Sequence, residues 1–316
     1  MERRGNILRY EQAAELLPPR LRRLALELPD EQKARAEELR LRVMRPMTVL
    51  TPDGEVSAAP SNREAIVTSE DLERMLASVT EYSRYASMEE IRQGYLCVRG
   101  GFRLGICGTS VMRDGAVSNL REFSSFALRI VREQIGIAAD CAPKLFDGDA
   151  FRSTLILSAP GGGKTTLLRD LIRCLSLGDI EHRAQRVAVI DERGEIAVSY
   201  QGRPQTELGS HTDVLCDCPK ALGIPMLLRA MNPQIIAVDE ITAAEDIRAM
   251  CMAANCGVGL LATIHARSMA ELLHKPLWCE LLSADVFRRV ILIENADGVR
   301  HYEVKELSCC GLPEGR

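Results

Sequence analysis

Residues 158–166 (SAPGGGKTT) combine three consecutive glycines with a lysine and two threonines, directly after the apolar run 154–157. Glycine leaves its backbone bare, so that a ligand can approach the N–H groups closely. The segment matches the phosphate-binding pattern G-x-x-x-x-G-K-[ST] in its last three places, although Ser158 replaces the first glycine. The residues expected to bind phosphates are Ser158, Pro160, Gly161, Gly162, Gly163, Lys164, Thr165 and Thr166.

Each part of this loop has a separate expected task. The backbone N–H groups of 161–165 would converge on the β-phosphate of a nucleotide, at the N-terminus of the following helix. The Lys164 ammonium would reach the β- and γ-phosphate oxygens, and the Thr165 hydroxyl would bind Mg²⁺. A glycine-rich turn with a chance lysine is the alternative, but the order of strand, loop and helix favours phosphate binding.

Two acidic residues after another apolar strand indicate hydrolysis. The run 235–240 (IIAVDE) would deliver Asp239 and Glu240 to the carboxyl end of that strand. Asp239 would hold Mg²⁺ together with Thr165, and Glu240 would orient or deprotonate the attacking water. The alternative is a strand that ends in two acidic capping residues.

Two further segments carry polar residues at strand ends. Asp191 and Glu192 follow the run VAVI, and Thr263 and His265 end the run ATIH. We expect Glu192 and His265 to take part in catalysis, His265 by sensing the γ-phosphate. Whether Glu192 or Glu240 is the main base stays open. The histidines expected to lie at the surface or in the core are His182, His211, His274 and His301.

The elements that must position these residues follow from the apolar runs after residue 150. Short continuous apolar runs alternate there with helical stretches, which predicts a doubly wound α/β domain with a mainly parallel sheet. The predicted strands are 154–158, 187–191, 235–240 and 259–264. Ligands of such sheets bind at the carboxyl ends of the strands. The runs 289–295 and 299–307 predict an antiparallel hairpin at the sheet edge.

The first half of the chain has a different pattern. Short strands at 38–43 and 47–51 precede two helical stretches, one capped by Ser69 and one at 81–94. Hairpin turns are expected at Gly100–Gly101 and at Asp114–Gly115. We therefore expect the following division: an α+β N-terminal domain at 1–140, a linker at 141–150 and the nucleotide-binding domain at 151–316.

Composition argues against two classes of partner. The 316 residues have a net charge of −4 and only 4% aromatic residues, so no basic, base-stacking groove for nucleic acid is expected. The eleven cysteines lack C-x-x-C spacing and indicate reduced thiols in a cytoplasmic protein. No apolar stretch reaches the roughly 18 residues of a membrane-spanning helix, so membrane contact would go through a partner.

The quoted segments resemble the stage III sporulation protein AA family, ATPases of endospore-forming bacteria related to the motors of type II and type IV secretion and of type IV pili. The resemblance is carried by 158–170, 187–197, 210–241 and 260–266, and in the first half by 38–47 and 100–111. It implies a RecA-like P-loop core with a smaller α+β N-terminal domain, and ATP with Mg²⁺ as ligands.

The resemblance also implies an assembly and further site residues. The expected form is a homo-hexameric ring that acts on an integral membrane protein of a channel complex between mother cell and forespore. Asp191–Glu192 would be the acidic box of the secretion ATPases and His265 their histidine box. Arginines assist phosphoryl transfer, often from a neighbouring subunit, and Arg103 and Arg129 match best. Others that the sequence leaves open are Arg99, Arg121 and Arg132.

Two departures from the family pattern and two alternative functions accompany this interpretation. Ser158 replaces a glycine of the pattern, and His211 stands where the family leads us to expect arginine. One alternative function is a nucleic-acid-stimulated RecA-like ATPase. Another is a nucleotide-gated scaffold with little turnover, against which the pair Asp239–Glu240 argues.

Overall fold

The computed structural model describes residues 2–58, 66–80, 91–130, 133–273, 279, 281, 284–296 and 299–307. Contacts between residues group the chain into two compact units. The first comprises Met1–Glu133 and Val198–Gln205, and the second comprises Gln134–Ala197 and Thr206–Arg316. The segment 141–150, expected as a linker, includes a short 3-10 helix at Ala142–Leu145 and belongs to the second unit.

In the ranges that the structure describes, the first unit contains an antiparallel sheet and four helices. Its strands are β1 (Glu38–Arg42), β2 (Thr48–Thr51), β3 (Gly54–Ser57), β4 (Tyr95–Val98), β5 (Phe102–Arg113) and β6 (Ala116–Arg129). Its helices are α1 (Glu2–Ala14), α2 (Pro19–Leu26), α3 (Asp30–Arg35) and α4 (Ser69–Val79). The strand order is β3-β2-β1-β6-β5-β4. The turns expected at Gly100–Gly101 and Asp114–Gly115 join β4 to β5 and β5 to β6.

Alternation along the strands gives this sheet one apolar and one polar face. In β1, Leu39 and Leu41 are fully buried, whereas Arg40 and Arg42 between and beside them are partly exposed. The apolar face packs against helix residues such as Leu24 in a single core. The polar face therefore carries charged side chains such as those of Arg40 and Arg42.

Helix α4 begins at Ser69, but its N-cap is Thr68, so the expectation that Ser69 caps the helix was wrong. The Thr68 hydroxyl accepts from the backbone N–H of Asp71 at 3.2 Å, and the Asp71 carboxylate accepts from the Thr68 N–H at 2.8 Å. This reciprocal arrangement satisfies two N–H groups that the first turn leaves unpaired. Residues 81–90 of the other predicted helix lie outside the described residues.

The second unit alternates strands and helices. Its strands are β7 (Phe146–Asp147), β8 (Ala150–Phe151), β9 (Thr154–Ser158), β10 (Val187–Asp191), β11 (Thr212–Cys216), β12 (Ile235–Val238), β13 (Gly259–His265), β14 (Arg289–Ala296) and β15 (Val299–Glu306). Its helices are α5 (Lys164–Leu177), α6 (Lys220–Ala230), α7 (Ala244–Asn255) and α8 (Met269–Leu273).

Seven of these strands form one sheet in the order β11-β10-β12-β13-β9-β14-β15. All neighbours pair in parallel except β14 and β15, which form an antiparallel hairpin at the edge. The mainly parallel sheet and the edge hairpin are confirmed. Strand β11 was not predicted, because the sequence of Thr212–Cys216 is half polar and all its residues are only partly buried.

Helices cover both faces of this sheet. Leu155 and Leu157 of β9 face one core with Ile224 of α6, whereas Ile156 faces a second core with Leu168 of α5. All residues of β9 are buried, so truncating Leu157 to alanine would cost about 2–5 kcal/mol. None of the helices in the described ranges combines the length and apolar character needed to cross a bilayer.

A buried carboxylate fixes helix α5 to the start of the second unit. Asp170 is 3% exposed, and its Oδ2 accepts from the backbone N–H groups of Gly136 and Ala138, both at 2.8 Å. Its Oδ1 accepts from Nε of Arg173 at 2.7 Å. Both oxygens of this buried carboxylate therefore accept hydrogen bonds, as buried polar groups generally do.

Candidate active site

The glycine-rich loop joins the carboxyl end of β9 to the N-terminus of α5. Gly161 and Gly163 have φ angles of 74° and 96°, in the left-handed region that favours glycine. Gly162 is required for a different reason. A Cβ on Gly162 would lie 1.6 Å from Oγ of Ser158. The loop thus needs all three glycines, two for backbone conformation and one for space.

The same geometry explains how the loop accommodates Ser158 in place of glycine. The Ser158 side chain is buried, and its hydroxyl donates to the carbonyl of Ala159 at 3.1 Å. It occupies the space that a side chain at position 162 would need. Ser158 is therefore compatible with the loop because residue 162 is glycine.

Lys164 opens helix α5 and is 5% exposed. Its ammonium donates to the carbonyls of Ser158 and Ala159, both at 3.1 Å, and to Nδ1 of His265 at 2.8 Å. Burial lowers the pKa of Lys164 from its ordinary value, and the charges of Asp239 and Glu240 oppose that shift. The lysine is thus held within the loop by three acceptors.

Asp239 follows β12 and lies beside the loop. Its Oδ2 accepts from the Thr165 hydroxyl at 2.6 Å, and its Oδ1 accepts from the hydroxyl of Thr263, which is fully buried in β13. Two neighbouring elements therefore fix one carboxylate. The pair of oxygens on Thr165 and Asp239 is chemically suited to Mg²⁺, a cation that prefers oxygen ligands.

His265 lies between Lys164 and Glu240. An ammonium can only donate, so Nδ1 of His265 must accept from Lys164, and the ring proton of the neutral imidazole must lie on Nε2. Nε2 is 3.1 Å from Oε1 of Glu240. The imidazole therefore lies in close polar contact with both the loop lysine and the acidic residue after β12.

Glu240 has an unusual backbone conformation. Its φ of 52° is uncommon for a residue with a side chain, and such conformations persist where surrounding contacts enforce them. Its N–H donates to the Thr263 hydroxyl at 2.8 Å. Its second carboxylate oxygen pairs with Arg193, whose side chain is 57% exposed. Sequence reasoning did not identify Arg193, although it follows Asp191–Glu192 at the same sheet edge.

The second acidic pair, Asp191 and Glu192, forms contacts outside the phosphate loop. Asp191 is 2% exposed and accepts from the backbone N–H groups of Glu195, Ile196 and Ala197 at 2.8–3.0 Å. Its carboxylate thus folds the loop after β10. Glu192 pairs with Lys220, the first residue of α6. The described contacts of Glu192 include no residue of the phosphate loop, and its catalytic role stays a prediction.

The two best-matched arginines lie in the first unit. Arg103 of β5 and Arg129 of β6 are direct cross-strand partners. The Arg103 guanidinium lies 3.9 Å from the ring centroid of Tyr95, and Arg129 is exposed. Like charges in direct opposition destabilise a sheet unless a partner compensates them. Their action on a neighbouring subunit stays a prediction, and Arg132 lies outside the described residues.

His211 has structural contacts. Its N–H donates to Oγ of Ser176 at 2.7 Å, and its Nδ1 lies 2.9 Å from the Ser176 carbonyl. Ser176 belongs to the last turn of α5, at the opposite end of that helix from the phosphate loop. The histidine in place of the expected arginine therefore serves packing of β11 against this helix end. His274 lies outside the described residues.

Comparison with known proteins identifies the family of this chain. The profile of the family described as "Sporulation stage III, protein AA" matches residues 7–304. The stage III sporulation protein AA of Bacillus subtilis (strain 168) is 36% identical over 285 residues, which cover 90% of this chain and 91% of that protein.

Two solved structures share the fold. The Legionella pneumophila ATPase DotB has a TM-score of 0.55 at 17% identity, covering 87% of this chain and 77% of that one. The pilus retraction motor PilT with bound ADP has a TM-score of 0.55 at 16% identity, covering 86% and 78%. The predicted RecA-like P-loop fold is confirmed.

Proposed function

Because the chain belongs to the stage III sporulation protein AA family, we propose that it is an ATP-hydrolysing motor ATPase of the secretion-ATPase type. The observation that carries this proposal is the row of close polar contacts from Lys164, which hydrogen-bonds to His265, to Glu240, whose Oε1 lies 3.1 Å from Nε2 of His265. A phosphate loop by itself would bind a nucleotide. A carboxylate linked to the loop lysine adds a group that can orient or deprotonate water beside the terminal phosphate.

Thr165 and Asp239 would hold the Mg²⁺, whose charge, when it is bound, neutralises the phosphate oxygens. Their side-chain oxygens are 2.6 Å apart and both are hard ligands, so the residues fit this ion. In the described part of the chain, no three His, Cys, Asp or Glu side chains converge on a metal position. Mg²⁺ commonly uses one or two carboxylates and takes its other ligands from phosphate and water.

Nucleotide binding would rearrange the loop lysine. The three acceptors of the Lys164 ammonium are two carbonyls and one imidazole, which phosphate oxygens would replace with charge-assisted bonds. His265 would then lose its donor at Nδ1, and its contact with Glu240 would change. Binding of the terminal phosphate would in this way change the contacts of the proposed base, Glu240. Glu192 is the alternative base.

The proposed assembly is a homo-hexameric ring with nucleotide between subunits. Arg103 and Arg129 would contribute positive charge to the neighbouring subunit's nucleotide. The ring would sit on the cytoplasmic side of a membrane and energise a channel complex between mother cell and forespore through an integral membrane partner. Membership of the sporulation family and the fold shared with a pilus motor support this proposal.

The experiment measures ATP binding and steady-state ATP turnover in two variants. Lys164→Ala should abolish nucleotide binding, and Glu240→Gln should retain ATP but stall hydrolysis. Glu245→Gln is the matched control, because Glu245 is an exposed carboxylate of α7 that pairs with Arg248. Equal turnover in Glu240→Gln and the wild type would instead support a nucleotide-gated scaffold.

The assembly is tested by measuring the mass of the purified protein with and without ATP–Mg²⁺. A nucleotide-dependent shift from monomer to a sixfold species would support the ring. A persistent monomer would contradict the ring and leave the hydrolytic site as a separate proposal.

A further inference from the structure

An arginine from the edge hairpin lies directly against the phosphate loop. A Cβ built on Gly163 would be 2.9 Å from Cζ of Arg300, 3.0 Å from its Nε and 3.1 Å from its Nη1. The guanidinium thus occupies the space beside the bare backbone of the residue that caps α5. Arg300 is not among the arginines that the sequence suggested for catalysis.

Strand register places Arg300 at the correct edge of the sheet. Leu292 of β14 pairs with Leu157 of β9, one residue before β9 ends. Three residues further along β14, Asn295 pairs with Arg300 of β15. Arg300 therefore lies just beyond the carboxyl end of β9, at the level of the loop that follows it.

The described partners of the Arg300 guanidinium are neutral. Nη1 donates to Oε1 of Gln134 at 3.3 Å. Arg300 also lies near Tyr302, whose pKa is raised by burial while the charge of Arg300 opposes that shift. Within the ranges that the structure describes, no carboxylate forms an ion pair with Arg300. A half-buried cation without a carboxylate partner, beside a loop built for phosphate, is suited to an anionic ligand.

The strand order indicates which end of a bound nucleotide's phosphate chain Arg300 would contact. The acidic residues Asp239 and Glu240 follow β12, and His265 ends β13, on one side of β9. Arg300 belongs to β15, on the other side. The bond that is hydrolysed must lie near the carboxylates. The terminal phosphate therefore faces β13, and the nucleoside-proximal end of the phosphate chain faces β15.

We propose that Arg300 is a second phosphate-binding residue, which acts within its own chain on the phosphate nearest the nucleoside. This inference rests on the proposed function and adds a residue to that site. Because the nucleoside-proximal phosphate is present before and after hydrolysis, Arg300 binds ATP and ADP equally. Its role is therefore affinity for nucleotide and positioning of the chain in the loop, while the water-activating groups lie on the other side of β9.

The test compares Arg300→Gln with the wild type in ATP binding, ADP binding and turnover at saturating ATP. Loss of a charge-assisted hydrogen bond should weaken both nucleotides by about tenfold or more. The turnover number at saturation should stay within about twofold, since this residue does not serve the chemical step. Lys305→Gln is the control, because it removes one positive charge from the far end of the same strand, where Lys305 pairs with Glu303 at 2.9 Å.

Two results would overturn the inference. Unchanged affinity for ADP in Arg300→Gln would exclude a contact with the nucleoside-proximal phosphate. A loss confined to ATP, with a collapse of the turnover number, would place the guanidinium at the terminal phosphate. Arg300→Lys serves as a second variant, in which the retained charge should give an intermediate affinity. If the wild type bound no nucleotide, the proposed function itself would fail, which is a distinguishable outcome.

Discussion

His265 presents its Nε2 to Oε1 of Glu240 at 3.1 Å, while its other ring nitrogen accepts from the phosphate-loop lysine. Since the lysine fixes which nitrogen carries the proton, the contacts of the two ring nitrogens depend on each other. The side chain of His265 is 39% exposed, so water can reach this contact. One residue at the end of β13 thus contacts both the phosphate-loop lysine and the carboxylate proposed to activate water.

The first prediction concerns this link. His265→Ala should lower the ATP turnover number by about a hundredfold, within the range of a lost proton-transfer or positioning group. ATP affinity should change by less than about threefold, because the loop glycines and Lys164 remain. His265→Gln, whose amide can both accept and donate, should retain more activity than alanine. Equal activity in the wild type and His265→Ala would contradict this assignment.

The second prediction concerns the coupling between Ser158 and Gly162. Gly162→Ala should destabilise the protein by about 1–3 kcal/mol and weaken ATP binding, because its methyl group would collide with the Ser158 hydroxyl. Thermal unfolding and ATP titration measure the two effects. The double variant Ser158→Gly, Gly162→Ala should recover most of both, since the two Ser158 atoms closest to the added methyl group are removed and the Ala159 carbonyl at 3.1 Å remains. Additive losses in the double variant would show that the collision is not the cause.

The third prediction concerns pH. The pKa of Lys164 is lowered by burial, so the folded protein releases this proton at a lower pH than the unfolded chain. Between the lowered pKa and the ordinary lysine pKa of about 10.4, the unfolded state binds more protons, and unfolding free energy rises with pH. The unfolding free energy of the wild type minus that of Lys164→Met should therefore increase as the pH rises toward the ordinary lysine pKa of about 10.4. Urea unfolding measures it, and a constant or falling difference would refute it.

The fourth prediction concerns arginine action between subunits. Arg129→Ala should lower turnover by about 10³-fold if its guanidinium serves the transition state of a neighbour. Mixing Arg129→Ala with Glu240→Gln should restore part of the activity, because some interfaces then combine intact residues from both chains. Arg113→Ala is the control in the same sheet, because Arg113 is an exposed arginine of β5 that pairs opposite Ala116. No recovery on mixing would argue against action in trans.

The parts of the fold that sequence predicted best are those with a strong local signal. Strand β9, its glycine-rich loop and helix α5 follow from the apolar run and the motif spacing, and IIAVDE gives β12 with its two acids. Strand β11 gives no such signal, because Thr212–Cys216 begins with two polar residues and all its residues are only partly buried at the sheet edge. The N-cap of α4 is Thr68, one residue before the predicted Ser69, because both residue types can cap a helix.

The site residues that sequence missed are arginines whose positions depend on tertiary structure. Arg193 reaches Glu240 through the fold of the loop after β10, which Asp191 holds by three backbone N–H groups. Arg300 reaches the loop through the register of β14 on β9. Neither position follows from a local pattern, because an isolated arginine in a polar segment is usually a solvated residue.

The hydrogen bonds of Asp170 have a mechanical consequence. Since this buried carboxylate joins the middle of α5 to the N–H groups of Gly136 and Ala138, the phosphate-loop helix and the start of the second unit cannot separate freely. Leaving one such buried group unpaired costs about 1–3 kcal/mol. A tilt of the helix would therefore either move residues 136–138 with it or break these hydrogen bonds.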